Sequence, residues 1–414
     1  MTLTTPTLVR KATNALALRM FEDTVYSYEF ALAGMELSAL TGQPNLHSGL
    51  PDGVIETTLD SSLIPALVKR LAYFEKVGSE YTHQKSLTEV QGAVAGNHAK
   101  AYMTHWIYPY KGKFHPQMIR ALLNIINAQK GEVILDPMTG SGTLNVEAQL
   151  MGIDSIGVDC LPIGVLASKV KCSVLDFSVG KAILKTEVPT LKLELSSHVS
   201  ESPFTDQIQD ERVRNFFQLL YFETLSISRL PKRKFPEVWK KMLWFYLQTI
   251  ERSLATIEKL DLTLGSTQIQ LGDSRHLDLQ DESVDHIITS PPYAIAIDYV
   301  VRNTDQLRLM GYSTKEIYEQ TIGLRGRGRD RITNYYADLE QSIREMQRVL
   351  KKGGYCVILI GDTRFEKQTL PTIARAIGFA ETAGLTLVRN LPKIAAGRFG
   401  LFRTERILIL QKNA

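Results

Sequence analysis

From about residue 105 onward, short apolar runs alternate with helix-like stretches, and this alternation restricts the fold more than any other feature of the chain. "GEVILDP", "DSIGVD", "TQIQLGD", "VDHIITS" and "YCVILIGD" are short, rich in Ile, Leu and Val, and bounded by Gly, Pro or Asp, the pattern of buried strands. Between them lie "LNVEAQLMG", "PIGVLASKVK", "NYYADLEQSIREMQRVLKKGG" and "PTIARAIGFAETAG", with apolar residues three and four apart, as on one helix face. The third of these ends in Lys-Lys-Gly-Gly, cations and glycines where a helix exposes its last carbonyls. Strand alternating with helix predicts a parallel sheet covered on both faces. "LTLVRNL" and "ERILILQ" have no such helix between them, which predicts an antiparallel pair at the end. The expected fold class is α/β and Rossmann-like.

A chain of 414 residues exceeds one simple core, so accessory regions are expected around this sheet. In "NALALRMFEDTVYSYEFALAGMELSAL" the apolar spacing reads as helical, and residues 1–104 are expected to form a helical accessory region, interrupted by the loop "TGQPNLHSGLPDG". The sheet domain is expected over 105–175 and 262–414. Residues 176–261 break the alternation with "RVRNFFQLLYFETLSISRL", a basic "PKRKF" and "VWKKMLWFYLQTIERSLATIEKL". A helical insertion of this length is either a functional lobe, here one for target recognition, or a cover for one sheet edge.

Bulk composition excludes more than it selects. At 44% apolar and 22% charged the chain is an ordinary folded protein, and a net charge of +4 permits a polyanionic partner without requiring one. Cys160, Cys172 and Cys356 share no paired or metal-like spacing, which fits a reducing compartment and no metal site. No apolar run approaches the roughly 20 residues of a membrane span, and the first residues lack a signal-peptide pattern. A cytoplasmic protein with no membrane partner is the expectation.

Chemistry enters at "DPMTGSGT", Asp136 to Thr143, between a strand and a helix. Gly140 and Gly142 let the backbone turn sharply and approach a ligand, with Pro137 and Thr143 framing the loop. No Gly-Lys-Ser/Thr follows, so this is not a phosphate loop. Instead Asp136 ends the first strand, Asp159 the second and Asp273 the third. One such acid reads as a helix cap or turn residue; three at successive strand ends read as a cofactor site. Carboxylates there repel a pyrophosphate but accept hydrogen bonds from an ammonium group and hydroxyls, which favours S-adenosylmethionine over a dinucleotide. Asp159 suits the ribose hydroxyls and Asp273 the adenine amino group. Phe114 and His115, in "YPYKGKFHPQMIRALL", either begin a helix with a buried ring or cover the methionine end of that cofactor.

The fourth strand stops in Ser290-Pro291-Pro292-Tyr293. Two prolines can simply terminate a strand. Beside a methyl donor they can do more. An exocyclic amino nitrogen is a weak nucleophile because its lone pair is delocalised into the base. The Ser290 hydroxyl oxygen and the Pro291 carbonyl are two acceptors that can draw the nitrogen toward tetrahedral geometry, held rigid by the prolines. Tyr293 offers a face for a base that has left the duplex.

"DPMTGSGT", "VD" and "TSPPY" in this order, preceded by "YPYKGKFHP", resemble the amino-methylating DNA methyltransferases over about 105–170 and 265–412. Met138-Thr139 departs from the aromatic-containing start usual in that loop. Serine at 290 resembles the cytosine-N4 branch. The resemblance implies site-specific DNA methylation at cytosine N4, with Asp136, Gly140 and Gly142 in the cofactor loop, Asp159 on the ribose, and Ser290, Pro291, Pro292 and Tyr293 in catalysis. It also implies double-stranded DNA with a flipped base as partner, a nucleoid location, and a restriction–modification setting with a restriction endonuclease as a candidate partner. "SPPYAIAIDY" resembles tRNA methyltransferase sequences as well. DNA adenine-N6 or tRNA guanine-N2 methylation is therefore the alternative, and a non-catalytic nucleic-acid-binding protein of the same fold the second. Cytosine-C5 chemistry needs an exposed cysteine nucleophile, usually after a proline, and all three cysteines read as structural.

For nucleic acid, "TIGLRGRGRDRI" carries Arg325, Arg327, Arg329 and Arg331 among glycines. Alternating Arg and Gly suits a mobile basic loop that contacts phosphates, or else a plain solvated loop. "PKRKF" is a second basic spot.

Overall fold

The computed structural model describes residues 13–24, 26–44, 53–91, 101–186, 208–294, 298–366, 368–395 and 403–413. Ile295–Ile297 of "SPPYAIAIDY", most of "TGQPNLHSGLPDG" and the serine-containing stretch 187–207 lie outside them. The chain divides into two compact units, one of residues 1–86 and 120–127, the other of 87–119 and 128–414. Residues 87–104 thus cluster with the larger unit, not with the amino-terminal region assigned to them above.

The smaller unit corrects the helical expectation for 1–104. Its elements are β1 (Thr13–Met20), α1 (Ser27–Thr41), β2 (Val54–Asp60), α2 (Ile64–Arg70), β3 (Phe74–Val77) and β4 (Glu80–Tyr81). Residues 83–86 of α3 (His83–Glu89) and 120–125 of α4 (Pro116–Ile125) also cluster here. The strands pair antiparallel in the order β2-β1-β3-β4. At its start the period is that of a strand: Leu16, Leu18 and Met20 alternate, with Leu18 and Met20 buried, whereas the three-and-four spacing begins only at Tyr28, Leu32, Ala33 and Leu37 of α1. Glu36 on α1 is fully buried and accepts from the backbone N–H groups of Ala72 and Tyr73, each at 3.0 Å, and from Asn124 Nδ2 at 2.8 Å. Burial pushes this carboxyl up to about 7.

The larger unit is the expected α/β sheet. In chain order it holds β5 (Val133–Asp136), α5 (Thr143–Leu150), β6 (Asp154–Asp159), α6 (Pro162–Ser173), α7 (Phe177–Lys185), α8 (Glu211–Ser228), α9 (Phe235–Lys259), β7 (Thr267–Leu271) and β8 (His286–Thr289). Then follow α10 (Tyr299–Arg302), α11 (Thr304–Leu309), α12 (Thr314–Gln320), α13 (Gly328–Val349), β9 (Tyr355–Gly361), β10 (Thr363–Phe365), β11 (Gln368–Leu370), α14 (Thr372–Thr382), β12 (Leu385–Ala395) and β13 (Arg403–Lys412). Among the described residues the sheet runs β12-β13-β9-β8-β5-β6-β7. Every pairing from β9 to β7 is parallel, and β13 is antiparallel to both its neighbours. The order reverses at β5: the chain builds outward through β6 and β7, then returns to lay β8 on the other side. The carboxyl ends of β5 and β8 therefore flank the crevice where open α/β sheets bind ligands.

The insertion packs as core. Phe216, Phe217 and Phe222 of α8 and Tyr246 of α9 are fully buried in one cluster with Ile163, Ala167 and Val170 of α6. Each buried ring contributes about 2 kcal/mol relative to exposure, so α8 and α9 are integral to one side of the sheet domain. The short helices α10 to α12 and the β10–β11 ribbon follow no pattern read from the sequence. Among the described residues, no helix is long and apolar enough to cross a membrane.

Candidate active site

A cleft partly open to solvent lies at this crevice. Its walls bring together residues from segments far apart in the chain: Phe114; Pro137, Gly140 and Thr143; Asp159; Asp273; and Ser290 with Pro292. The strands supply the reason, since β5, β6, β7 and β8 each deliver their next residues to the same edge.

The glycine loop shows why those two positions are glycine. Both have positive φ, 54° at Gly140 and 74° at Gly142. A Cβ on Gly142 would lie 2.9 Å from the Ser168 side chain, and one on Gly140 would lie 3.2 Å from the Tyr110 ring. Gly142 caps α5 and does not line the cleft; Gly140 does.

Asp136 differs from the expectation that it projects into the ligand space. It is fully buried behind the wall, where its Oδ1 accepts from Thr289 Oγ1 at 2.7 Å and from the Met138 N–H at 3.1 Å. It thereby ties the glycine loop to the strand that carries Ser290. Its Oδ2 is buried with no hydrogen-bond partner among the described residues. Desolvation pushes the carboxyl up to about 7, and Asp159 adds repulsion. Asp159 lies in the wall itself. One oxygen accepts from the Gly140 N–H at 2.7 Å, the other from the Leu161 N–H at 2.8 Å, and burial pushes this acid up to about 6. Asp273 also lines the cleft but is paired with Arg275 at 2.6 Å. Arg275 continues to Asp338 at 3.0 Å, and Asp338 takes Arg325 at 2.7 Å.

His115 lies outside the lining; its carbonyl accepts from the Ile119 N–H in the first turn of α4. Pro291 is buried. Tyr293 does not line the cleft either, and its hydroxyl donates to Glu405 on β13.

Several cleft residues escaped sequence reasoning. Tyr110 and Tyr299 stack with centroids 5.4 Å apart, and Lys113 donates to the His105 carbonyl at 2.7 Å while burial lowers its ammonium to about 8. Their signal was present in "YPYKGKF" and "SPPYAIAIDY", but only Phe114 and His115 were drawn from the first segment. Cys160, read above as structural, lies in the wall. Burial and the neighbouring Asp159 push its thiol up to about 12, so it is not a thiolate nucleophile at neutral pH.

The arginine-rich loop is also more ordered than a mobile loop. Arg325 is held by Asp338, and Arg331 Nε donates to the Gly323 carbonyl. Arg329 and Arg331 already belong to the first turn of α13. Arg327 and Arg329 are exposed.

Residues 284–413 match the DNA methylase family model. Residues 107–174 match a second, the RMKL-like methyltransferase domain. The chain is similar in sequence to Type II methyltransferases. It is 35% identical over 147 residues to the Type II methyltransferase M.MjaII of Methanocaldococcus jannaschii, covering 35% of this chain and 27% of that one. It is 24% identical over 348 residues to M.BsoBI of Geobacillus stearothermophilus, covering 69% and 67%. The chain thus spans about a quarter of the first relative and two thirds of the second. A 63-residue stretch is 35% identical to a tRNA (guanine(10)-N2)-dimethyltransferase of Methanothermobacter thermautotrophicus, covering 15% of this chain and 18% of that one. Among solved structures, a SAM-dependent methyltransferase from Methanosarcina mazei is similar at 12% identity and a TM-score of 0.33, over 69% of this chain and 94% of that one.

Proposed function

We propose that this protein transfers a methyl group from S-adenosylmethionine to an exocyclic amino nitrogen of a DNA base, with cytosine N4 as the target. The observation that carries the reading is one cleft with the Ser290-Pro292 turn on one wall and the Gly140 loop with Asp159 on another. The residues fit this cofactor. Asp159 is held by two backbone N–H groups and keeps lone pairs for the ribose hydroxyls. Asp273 lies in the wall for the adenine amino group, Phe114 gives apolar cover, and the Lys113 ammonium suits the amino-acid carboxylate. Bound there, S-adenosylmethionine supplies a methyl carbon activated by its sulfonium.

The chain's own residues then act on the nucleophile. Ser290 Oγ and the Pro291 carbonyl accept the two amino N–H bonds, which withdraws the lone pair from conjugation. The prolines keep both acceptors from reorganising, and preorganised acceptors of this kind contribute more than equivalent groups in water. Tyr293 stacks on the extruded base. Arg327 and Arg329 contact the phosphate backbone, and α8 and α9 with the basic segment before α9 form the recognition lobe.

A second reading has support of its own. A compact antiparallel α/β unit precedes the sheet domain, and the tRNA methyltransferase match points the same way. One experiment separates the readings: the full chain is incubated with tritiated S-adenosylmethionine and unmethylated genomic DNA or tRNA, and the products are digested to nucleosides for mass spectrometry. N4-methyldeoxycytidine is the expected product. N6-methyldeoxyadenosine would move the target within DNA, and label confined to tRNA would overturn the reading.

A further inference from the structure

Tyr293 is anchored at both ends. Its backbone belongs to the turn after β8, and its hydroxyl donates to Glu405 Oε1 on β13. The other oxygen of that carboxylate takes Lys393 Nζ at 2.5 Å. Glu405 and Lys393 are directly opposed across the β12–β13 hairpin, and both side chains are largely buried. The reaction proposed above uses Tyr293 but neither Glu405 nor Lys393, yet β13 holds the turn's aromatic ring by its far end.

We propose that Glu405 is a positioning residue for the target base, acting through Tyr293; this rests on the function proposed above. Two physical effects follow from the contact. First, a tyrosine held only at its backbone can swing and spin about two side-chain torsions. A second anchor at the hydroxyl fixes the ring plane, so an arriving base does not have to order it. Second, a hydroxyl that donates to an ionised carboxylate makes a charge-assisted bond and pushes electron density onto its ring. Methylation leaves the base transiently cationic, until an amino proton passes to water. A ring face made more negative stabilises that charge more than it stabilises the neutral base, which is the condition for a rate effect. Lys393 completes the arrangement, its ammonium ion-paired with the other oxygen of Glu405.

The test uses the full chain with Glu405→Gln, Glu405→Asp and Tyr293→Phe, and the Glu405→Gln/Tyr293→Phe double variant. Methyl transfer to DNA is expected to fall about tenfold in kcat for Glu405→Gln, with the KM for S-adenosylmethionine unchanged. Glu405→Asp, which keeps the charge, is expected to recover part of the loss. In the Tyr293→Phe background the Glu405 substitution is expected to have no further effect. A readout without cofactor or substrate accompanies this: the 19F resonance of 3-fluorotyrosine placed at position 293 is expected to shift on Glu405→Gln. If wild type moves no methyl to DNA, the proposed function and this inference fall together. If wild type is active, then an unaffected Glu405→Gln, an equal loss in the Tyr293→Phe background, or an unmoved resonance overturns this inference alone.

Discussion

Asp136 and Asp159 show how a single residue couples the site to pH. Both acids sit above their ordinary range in the folded chain, at about 7 and about 6, chiefly because burial penalises the charged form. Between the unfolded value near 4 and these folded values, the native state therefore binds more protons than the unfolded state. Stability contributed by these groups is complete below the unfolded value and is lost as pH rises through the folded one. For Asp136 the full amplitude is at most about 4 kcal/mol. Asp136→Asn keeps an oxygen to accept from Thr289 and Met138 and removes the titration. The melting temperature of wild type is expected to fall from pH 5 to pH 8 relative to that of the variant, measured by calorimetry. Parallel curves would show that Asp136 does not titrate in this window. At this scale tertiary packing, and nothing local, turned an acid expected to meet the cofactor into a buried tie between two strand ends.

At the scale of elements, α13 separates arginines that look alike in sequence. Four of them alternate through "LRGRGRDR", but Arg325 completes a chain of charges from Asp273 through Arg275 and Asp338, and Arg331 closes the loop onto Gly323. Only Arg327 and Arg329 are exposed near the start of the helix, an end where cations meet the helix dipole unfavourably and an anion would relieve them. The double substitution Arg327→Ala/Arg329→Ala is expected to leave the melting temperature nearly unchanged and to lower the salt dependence of DNA binding by about two in slope. Arg325→Ala is expected to do the reverse, costing stability because buried Asp338 loses one of its two arginine partners and keeps Arg275. Fluorescence anisotropy across a salt series and thermal melts of both variants decide between these roles.

At the scale of the whole molecule the chain has two separate structural economies. The smaller unit depends on Glu36, which holds α1 to the turn before β3 and to Asn124. Glu36→Ala strips two backbone N–H groups and one side-chain amide of their acceptor, at a cost of about 3 kcal/mol. Hydrogen exchange is expected to rise in β1 to β3 while β5, β8 and β9 keep their protection; equal loss in both units would show that they unfold as one.

Much of the larger unit is legible in the sequence, and the smaller one is not. Parallel strands buried on both faces must be continuous apolar runs, so "VILD", "HIIT" and "YCVILIG" declare themselves, and a strand that ends in a glycine loop or in Pro-Pro leaves its chemistry at a known edge. An antiparallel strand with one face toward solvent writes a weaker pattern, and Leu16, Leu18 and Met20 merged with the helix that follows. By itself the sequence determined the sheet, its ligand-bearing edge and the residue types gathered there, because those depend on local periodicity and turn chemistry. The tertiary structure alone decided which of these residues face the cleft, why Asp136 lies behind it and Tyr293 outside its lining, and that Lys113, Cys160 and Tyr299 share it. Those outcomes depend on contacts between segments more than a hundred residues apart, such as Thr289 with Asp136 and Tyr293 with Glu405, and no local pattern encodes them.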